Sequence, residues 1–176
     1  FSPASEMGTR AIDELQKQTT SLLSFQQGPQ KMFGARLAFN LLAHLGGERD
    51  SDLVARECRI RSQVRHYLAG RFPVPALKVA QLPVFYSLAL SVYVETGQAV
   101  APEAAEAALA GEHLRVRRRG EPAPSPVDAA GSGDILVDNI TPDPAHPNGF
   151  WIWAAVDNIR LAAENAVEIA QSLMKR

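Results

Sequence analysis

Phe150-Trp151-Ile152-Trp153-Ala154-Ala155-Val156 carries no charged or amide side chain. Aromatic and β-branched residues favour a strand there, and side chains of a strand alternate between its two faces. Trp151 and Trp153 then share one face, and Phe150, Ile152 and Ala154 share the other. Both faces are apolar, so both need cover. Helices of the same chain cover one. The other is covered either by a second copy of the chain across a two-fold axis or by the chain's own segment 119–134.

Outward from this strand, the pattern mixes helices and strands. Residues 87–95 alternate, with Leu88, Leu90, Val92 and Val94 on one face and Ala89, Ser91 and Tyr93 on the other. Strands are also expected at 76–85, 114–118 and 135–140. Residues 141–149 read as a proline-rich turn, and 119–134, rich in Gly, Pro, Ser and Ala, as a long surface loop. Helices are expected at 8–25, 52–68, 102–110 and 157–174. The first carries a stripe of Ile12, Leu15, Thr19, Leu22 and Leu23. The second carries Leu53, Ile60, Val64, Tyr67 and Leu68, with Asp50 to Asp52 as its cap. The last has a small inward side of Ala162, Ala163, Ala166 and Ala170, with Ile169 and Leu173. Residues 37–42 are apolar and short, and periodicity does not decide between a strand and an irregular core segment; Gly46-Gly47 closes that stretch. No regular βαβ rhythm emerges. The expectation is one α+β domain over 1–176, with a mixed, largely antiparallel sheet and helices on one face.

Composition bounds the function. The 176 residues are 46% hydrophobic and 21% charged, with net charge -1. That balance points to neither a nucleic-acid nor an anionic-membrane partner. No apolar run reaches the ~20 residues that span a bilayer. With Cys58 as the single cysteine, no internal disulfide forms, which fits a reducing cytoplasm. Phe1 in place of an initiating methionine suggests a piece of a longer protein. No Gly-x-Gly-x-x-Gly follows a strand, so the chain carries no dinucleotide fingerprint.

Individual side chains invite chemistry. Cys58 lies mid-helix without a histidine beside it, so a buried structural thiol is the expectation. Glu57 sits on the stripe of Leu53, Ile60 and Val64, a place where a carboxylate needs a partner, either a neighbouring arginine or a substrate. His44, His66, His113 and His146 are scattered without metal-ligand spacing, so no metal is expected. Arg56, Arg59, Arg61 and Arg65 crowd one helix, and Arg115, Arg117, Arg118 and Arg119 another stretch. The near-neutral whole favours solvated faces with acidic neighbours over an anion site.

Four segments in order carry a resemblance. They are Ser2-Pro3-Ala4-Ser5-Glu6-Met7-Gly8 into Ile12-Asp13-Glu14-Leu15; Phe33 with Leu37-Ala38-Phe39-Asn40-Leu41-Leu42 and His44-Leu45-Gly46; Leu82-Pro83-Val84-Phe85; and Asn148-Gly149-Phe150-Trp151-Ile152-Trp153, then Asp157-Asn158-Ile159-Arg160 and Asn165-Ala166-Val167-Glu168-Ile169-Ala170. Together they resemble the carboxy-terminal, dimer-forming domain of aspartate-semialdehyde dehydrogenases. The resemblance implies a parent oxidoreductase of amino-acid biosynthesis. Such a parent reduces aspartyl phosphate with NADP as the cofactor couple, through a thioester on a cysteine. Cysteine and Rossmann domain would both precede Phe1. It implies a cytoplasmic homodimer whose interface includes Trp151 and Trp153.

Several site positions depart from the family's residues. The catalytic histidine slot is Leu88, which moves no proton. The slot of the carboxylate-binding arginine is Gln81, a neutral amide without the charged fork. Glu57 keeps the glutamate for a substrate amine, while the phosphate-binding lysine slot is Ile60 with Arg61 adjacent. Asn165 matches the asparagine that faces the nicotinamide. The implied substrate contacts are Glu57, Arg61 and Gln81, with no catalytic residue in this fragment. The alternative is an inactive paralogue that keeps the dimer as an interaction module.

Overall fold

The computed structural model describes residues 1–46 and 51–174, with side chains at 51 and 52 left out. The expected cap at Asp50 to Asp52 and the closing Gly47 lie outside the described residues. The chain divides into two compact units, Phe1–Phe85 and Tyr86–Arg176.

In the first unit a 3-10 turn, Ala4–Met7, leads into α1, Thr9–Leu23, and α2 runs Ser51–Leu68. Their core is Ala4, Ala11, Leu15, Phe33, Leu37, Ala38, Leu45, Leu53 and Val79. The side of α1 that is buried is Ala11, Glu14, Leu15 and Gln18, while Leu23 of the expected stripe is exposed. Two polar groups face inward because the segment opposite them, 29–38, is irregular and offers unpaired backbone groups. Glu14 accepts from the backbone N–H groups of Lys31 (2.9 Å) and Met32 (2.9 Å). The Gln18 carboxamide donates to Pro29 O (2.8 Å) and Ala35 O (3.2 Å) and accepts from Leu37 N–H (2.7 Å) and Ala38 N–H (3.0 Å). Residues 37–42 are thus irregular: Leu37 and Ala38 are core and tied to a helix, whereas Phe39 and Leu41 are exposed. Gly34, at φ +65°, and Gly46 pass so closely that a Cβ on Gly34 would lie 2.0 Å from Gly46 O.

The expected strand at 76–85 does not form. Within it Pro83 lacks the N–H that a ladder needs. Only Gln81 makes bridges, parallel to Ser2 and antiparallel to Leu42. Tyr67, expected on the buried side of α2, is 77% exposed, and Cys58, expected buried, is exposed.

The second unit holds a mixed sheet. Its strands are β1 (Leu88–Glu95), β2 (Leu114–Val116), β3 (Ile135–Val137), β4 (Thr141–Pro142) and β5 (Gly149–Val156). The order is β1-β5-β3-β2, with β4 also on β5. Only β2 and β3 pair in parallel; the other pairings are antiparallel. The fold class is therefore the expected α+β. β4 occupies part of what read as a turn, and α4, Pro126–Ala129, interrupts the expected loop 119–134 behind a Ser125 capping box. α3 spans Pro102–Leu109, and α5 spans Asn158–Met174 with no buried residue. The small side expected to face inward on α5 is therefore open. Asp157 starts that helix by accepting from Ile159 N–H (2.9 Å) and Arg160 N–H (3.0 Å).

Ser87, just before β1, is fully buried at φ +68°, and its N–H donates to Asn158 Oδ1 at 3.2 Å. A left-handed backbone costs a non-glycine residue about 1–2 kcal/mol. Ser87→Gly is expected to stabilise the chain by about 1 kcal/mol, the relief of strain exceeding the added freedom of the unfolded chain. Urea melts check it; a destabilised variant would show that the serine side chain contributes more than its backbone strains.

Candidate functional site

α2 presents Glu57 inward, 4% exposed, on the same side as Leu53 and Ile60. Its carboxylate is fully engaged. It accepts from Val79 N–H at 2.9 Å and pairs with Lys78 Nζ at 3.2 Å and Arg61 at 3.5 Å. Arg61 also donates to Leu77 O. Residues 77–79 are gripped by one helix turn through a carbonyl, an ammonium and an amide. The backbone bond from Val79 holds the Glu57 carboxyl below the usual range, against the opposing effect of burial and with help from Lys78 and Arg61. Sequence reasoning left the partner of Glu57 open between a neighbouring arginine and a substrate, and offered Arg61 as a substrate contact. It missed Lys78, whose only signal was a lone lysine in a stretch misread as a strand.

Gln81 is fully buried. Its side-chain N–H donates to Ser2 O at 2.9 Å, and its backbone pairs with Leu42. Side chain and backbone of Gln81 together join the segments of Ser2 and Leu42 to its own. Leu88 is half-buried on β1 opposite Val156. Asn165 is exposed on α5.

On the sheet, the register places Leu90 opposite Ala154 and Val92 opposite Ile152. Leu90 and Val92 are each 41% exposed, whereas Ala89 on the other face is buried. Trp153 donates its indole N–H to Pro124 O at 2.6 Å, so the chain's own 119–134 segment reaches that side of β5. Trp151, 42% exposed, donates to Asp143 at 2.8 Å and tilts against Tyr93, whose ring also meets His146 edge-on. The Trp151 bond, followed by that of Ala145 N–H, keeps Asp143 below the usual carboxylate range. Burial, with Glu95 and Asp143, raises the Tyr93 phenol. This cluster was not visible in sequence, because Tyr93 and His146 are far apart in the chain.

Acid sensitivity follows from these carboxylates. Burial alone would raise Asp157, but the N–H groups of Arg160, Gly131 and Ile159 outweigh it, and its pKa is lowered. Glu57, Asp143 and Asp157 all titrate lower folded than unfolded. Each contributes stability that is complete above the unfolded carboxylate values, about 4, and fades as pH falls through the folded ones. The melting temperature is expected to drop steeply below about pH 4, and less steeply in Asp157→Asn. An unchanged slope in that variant contradicts the assignment.

Among the described residues no cluster of His, Cys, Asp and Glu could hold a metal ion, and no helix is long and apolar enough to cross a membrane.

An α+β unit with a mixed sheet and an open apolar strand pair is the frame of an association domain. The sequence matches the family described as "Semialdehyde dehydrogenase, dimerisation domain" over residues 1–161, and the chain belongs to that family. It is 31% identical over 182 residues to the "USG-1 protein homolog" of Azotobacter vinelandii, covering 99% of this chain and 52% of the relative. It is 28% identical over 180 residues to the aspartate-semialdehyde dehydrogenase of Aquifex aeolicus, covering 99% and 53%. Among solved structures, a probable aspartate-semialdehyde dehydrogenase from Pseudomonas aeruginosa superposes with TM-score 0.89 at 31% identity, over 99% of this chain and 53% of that one. Aspartate semialdehyde dehydrogenase II from Vibrio cholerae, complexed with ASA, gives TM-score 0.88 at 28% identity, over 99% and 53%. The chain spans about half the length of the relatives it matches.

Proposed function

We propose that this chain is the dimerisation and substrate-pocket domain of a cytoplasmic, aspartate-semialdehyde dehydrogenase-like oxidoreductase, and that it self-associates through the β1–β5 strand pair. The observation that carries this is the apolar face of Leu90 and Val92, open to solvent beside Ile152 and Ala154 of β5. Of the two faces it is the better candidate, since on the other Trp153 already lies against Pro124 and Trp151 is the one exposed large apolar side chain among the described residues of β1 and β5. The family match over 1–161 crosses both compact units, which supports one functional domain. Sedimentation velocity tests the reading: a homodimer at micromolar concentration is expected, and a monomer at high concentration rejects it.

NADP would serve the whole protein. In this chain only the Asn165 amide is offered to it, with no phosphate cradle, so the residues do not fit that group by themselves. The nucleotide fold and the thioester cysteine would come from the half of the relatives that this chain does not span.

A second reading, a catalytically inactive paralogue that keeps the dimer, has a specific observation behind it. The Glu57 carboxylate is occupied by Val79, Lys78 and Arg61, Gln81 is turned onto Ser2, and Leu88 has no proton to move. Assay of the whole protein for phosphate-dependent NADP reduction with aspartate semialdehyde separates the two. Turnover above background supports the oxidoreductase; none supports the paralogue.

A further inference from the structure

The whole-chain charge of -1 conceals a local excess. Residues 58–85 carry five Arg and Lys and no Asp or Glu. In the second arginine cluster three of the four side chains meet carboxylates: Arg115 pairs with Asp134, Arg119 with Glu103, and Arg117 approaches Asp128 at 4.0 Å. Arg61 of α2 and Lys78, beyond the helix, both pair with Glu57. Arg59, Arg65 and Arg71 are exposed and form no ion pair among the described residues.

Two aromatic residues lie in the same stretch of sequence as these arginines. Tyr67 is 77% exposed and Phe72 67% exposed. His66 is exposed and meets the Tyr67 ring edge-on, with centroids 6.4 Å apart. Ala69 (φ +48°) and Gly70 (φ +77°) turn the chain in left-handed conformations, and Arg71 N–H bonds to Leu68 O at 2.9 Å. That turn sets Arg71 and Phe72 immediately beyond the last turn of α2. Compensation of the helix dipole accounts for Arg65 and His66 at a C-terminus. It accounts for neither the two open rings nor the absence of carboxylates.

We propose that residues 59–72 form a binding surface for single-stranded nucleic acid. Phosphodiesters complement Arg59, Arg65 and Arg71, and unstacked bases offer flat faces to Tyr67 and Phe72, which bases inside a duplex do not. An acidic protein would satisfy the arginines and leave the rings uncovered. The sequence alone argued against a nucleic-acid partner because the net charge averages over both units and because Tyr67 read as core.

The test is fluorescence anisotropy of the 176-residue chain with a labelled oligothymidylate of about fifteen nucleotides, a length near the upper site sizes of such surfaces. Binding at low salt is expected, with a log–log salt slope of about -2 for three released counterions. Arg59→Ala/Arg65→Ala/Arg71→Ala should flatten that slope and weaken binding at least tenfold. Tyr67→Ala/Phe72→Ala should weaken binding by about 30-fold or more and leave the slope unchanged. All five positions are exposed, and circular dichroism checks that both variants fold. No binding at low salt overturns the proposal. So does binding insensitive to the ring variant, which would mark a general polyanion surface. Binding to phosphatidylserine vesicles in place of the oligonucleotide overturns it in favour of a membrane surface.

Discussion

Gln18→Ala is expected to destabilise the first unit by about 3–5 kcal/mol, enough to unfold much of it at ambient temperature. The carboxamide makes four bonds to the backbone of residues 29–38, at 2.7 to 3.2 Å, from a side chain that is 2% exposed. Each buried backbone group left without a partner costs about 1–3 kcal/mol, partly offset where the truncated site admits water. No sheet neighbour can replace the lost bonds, because the segment is irregular. Gln16→Ala, at an exposed position of α1, is the control and should be near neutral. In urea melts far-ultraviolet circular dichroism reports the helices of both units and fluorescence of Trp151 and Trp153 the second alone, so a loss of ellipticity that precedes the fluorescence change belongs to the first. A loss under about 1 kcal/mol would mean that the segment is held by its apolar contacts alone.

The same glutamine shows where sequence reading reaches its limit. The 3.6-residue period placed α1 and its length, but an apolar stripe was taken as the buried side. Burial went instead to Glu14 and Gln18 beside Ala11 and Leu15, since an irregular partner segment needs hydrogen bonds more than it needs methyl groups. Period 2 placed β1 well, because alternation is a property of the strand itself. Which face is covered is a property of its neighbours, and there Ala89 is buried while the larger Leu90 and Val92 are open. Residues 76–85 carried the composition of a strand, but Pro83 removed a donor and only Gln81 found bridge partners, in Ser2 and Leu42. At the candidate site, Glu57 was legible as a carboxylate out of place on an apolar stripe. Its anchor at Lys78 and Val79 was not, because the contact joins residues 21 or more positions apart through a segment without regular structure.

Leu90→Asp is expected to convert the dimer to a monomer. In an isologous interface one substitution enters twice, because the axis sets the same face of each copy against the other. Two carboxylates would then lose water without cations to meet them, as the neighbouring positions on that face are Val92, Ile152 and Ala154. A rise in dissociation constant of more than about 100-fold follows from even 3 kcal/mol of penalty shared by both copies. The isolated chain should tolerate the change, since Leu90 is already 41% exposed. Trp151→Asp addresses the opposite face and should leave the dimer intact. Sedimentation equilibrium of both variants locates the interface. Dissociation by the tryptophan variant alone moves it to that face, and an undisturbed dimer in both shows that the copies meet somewhere other than on this sheet.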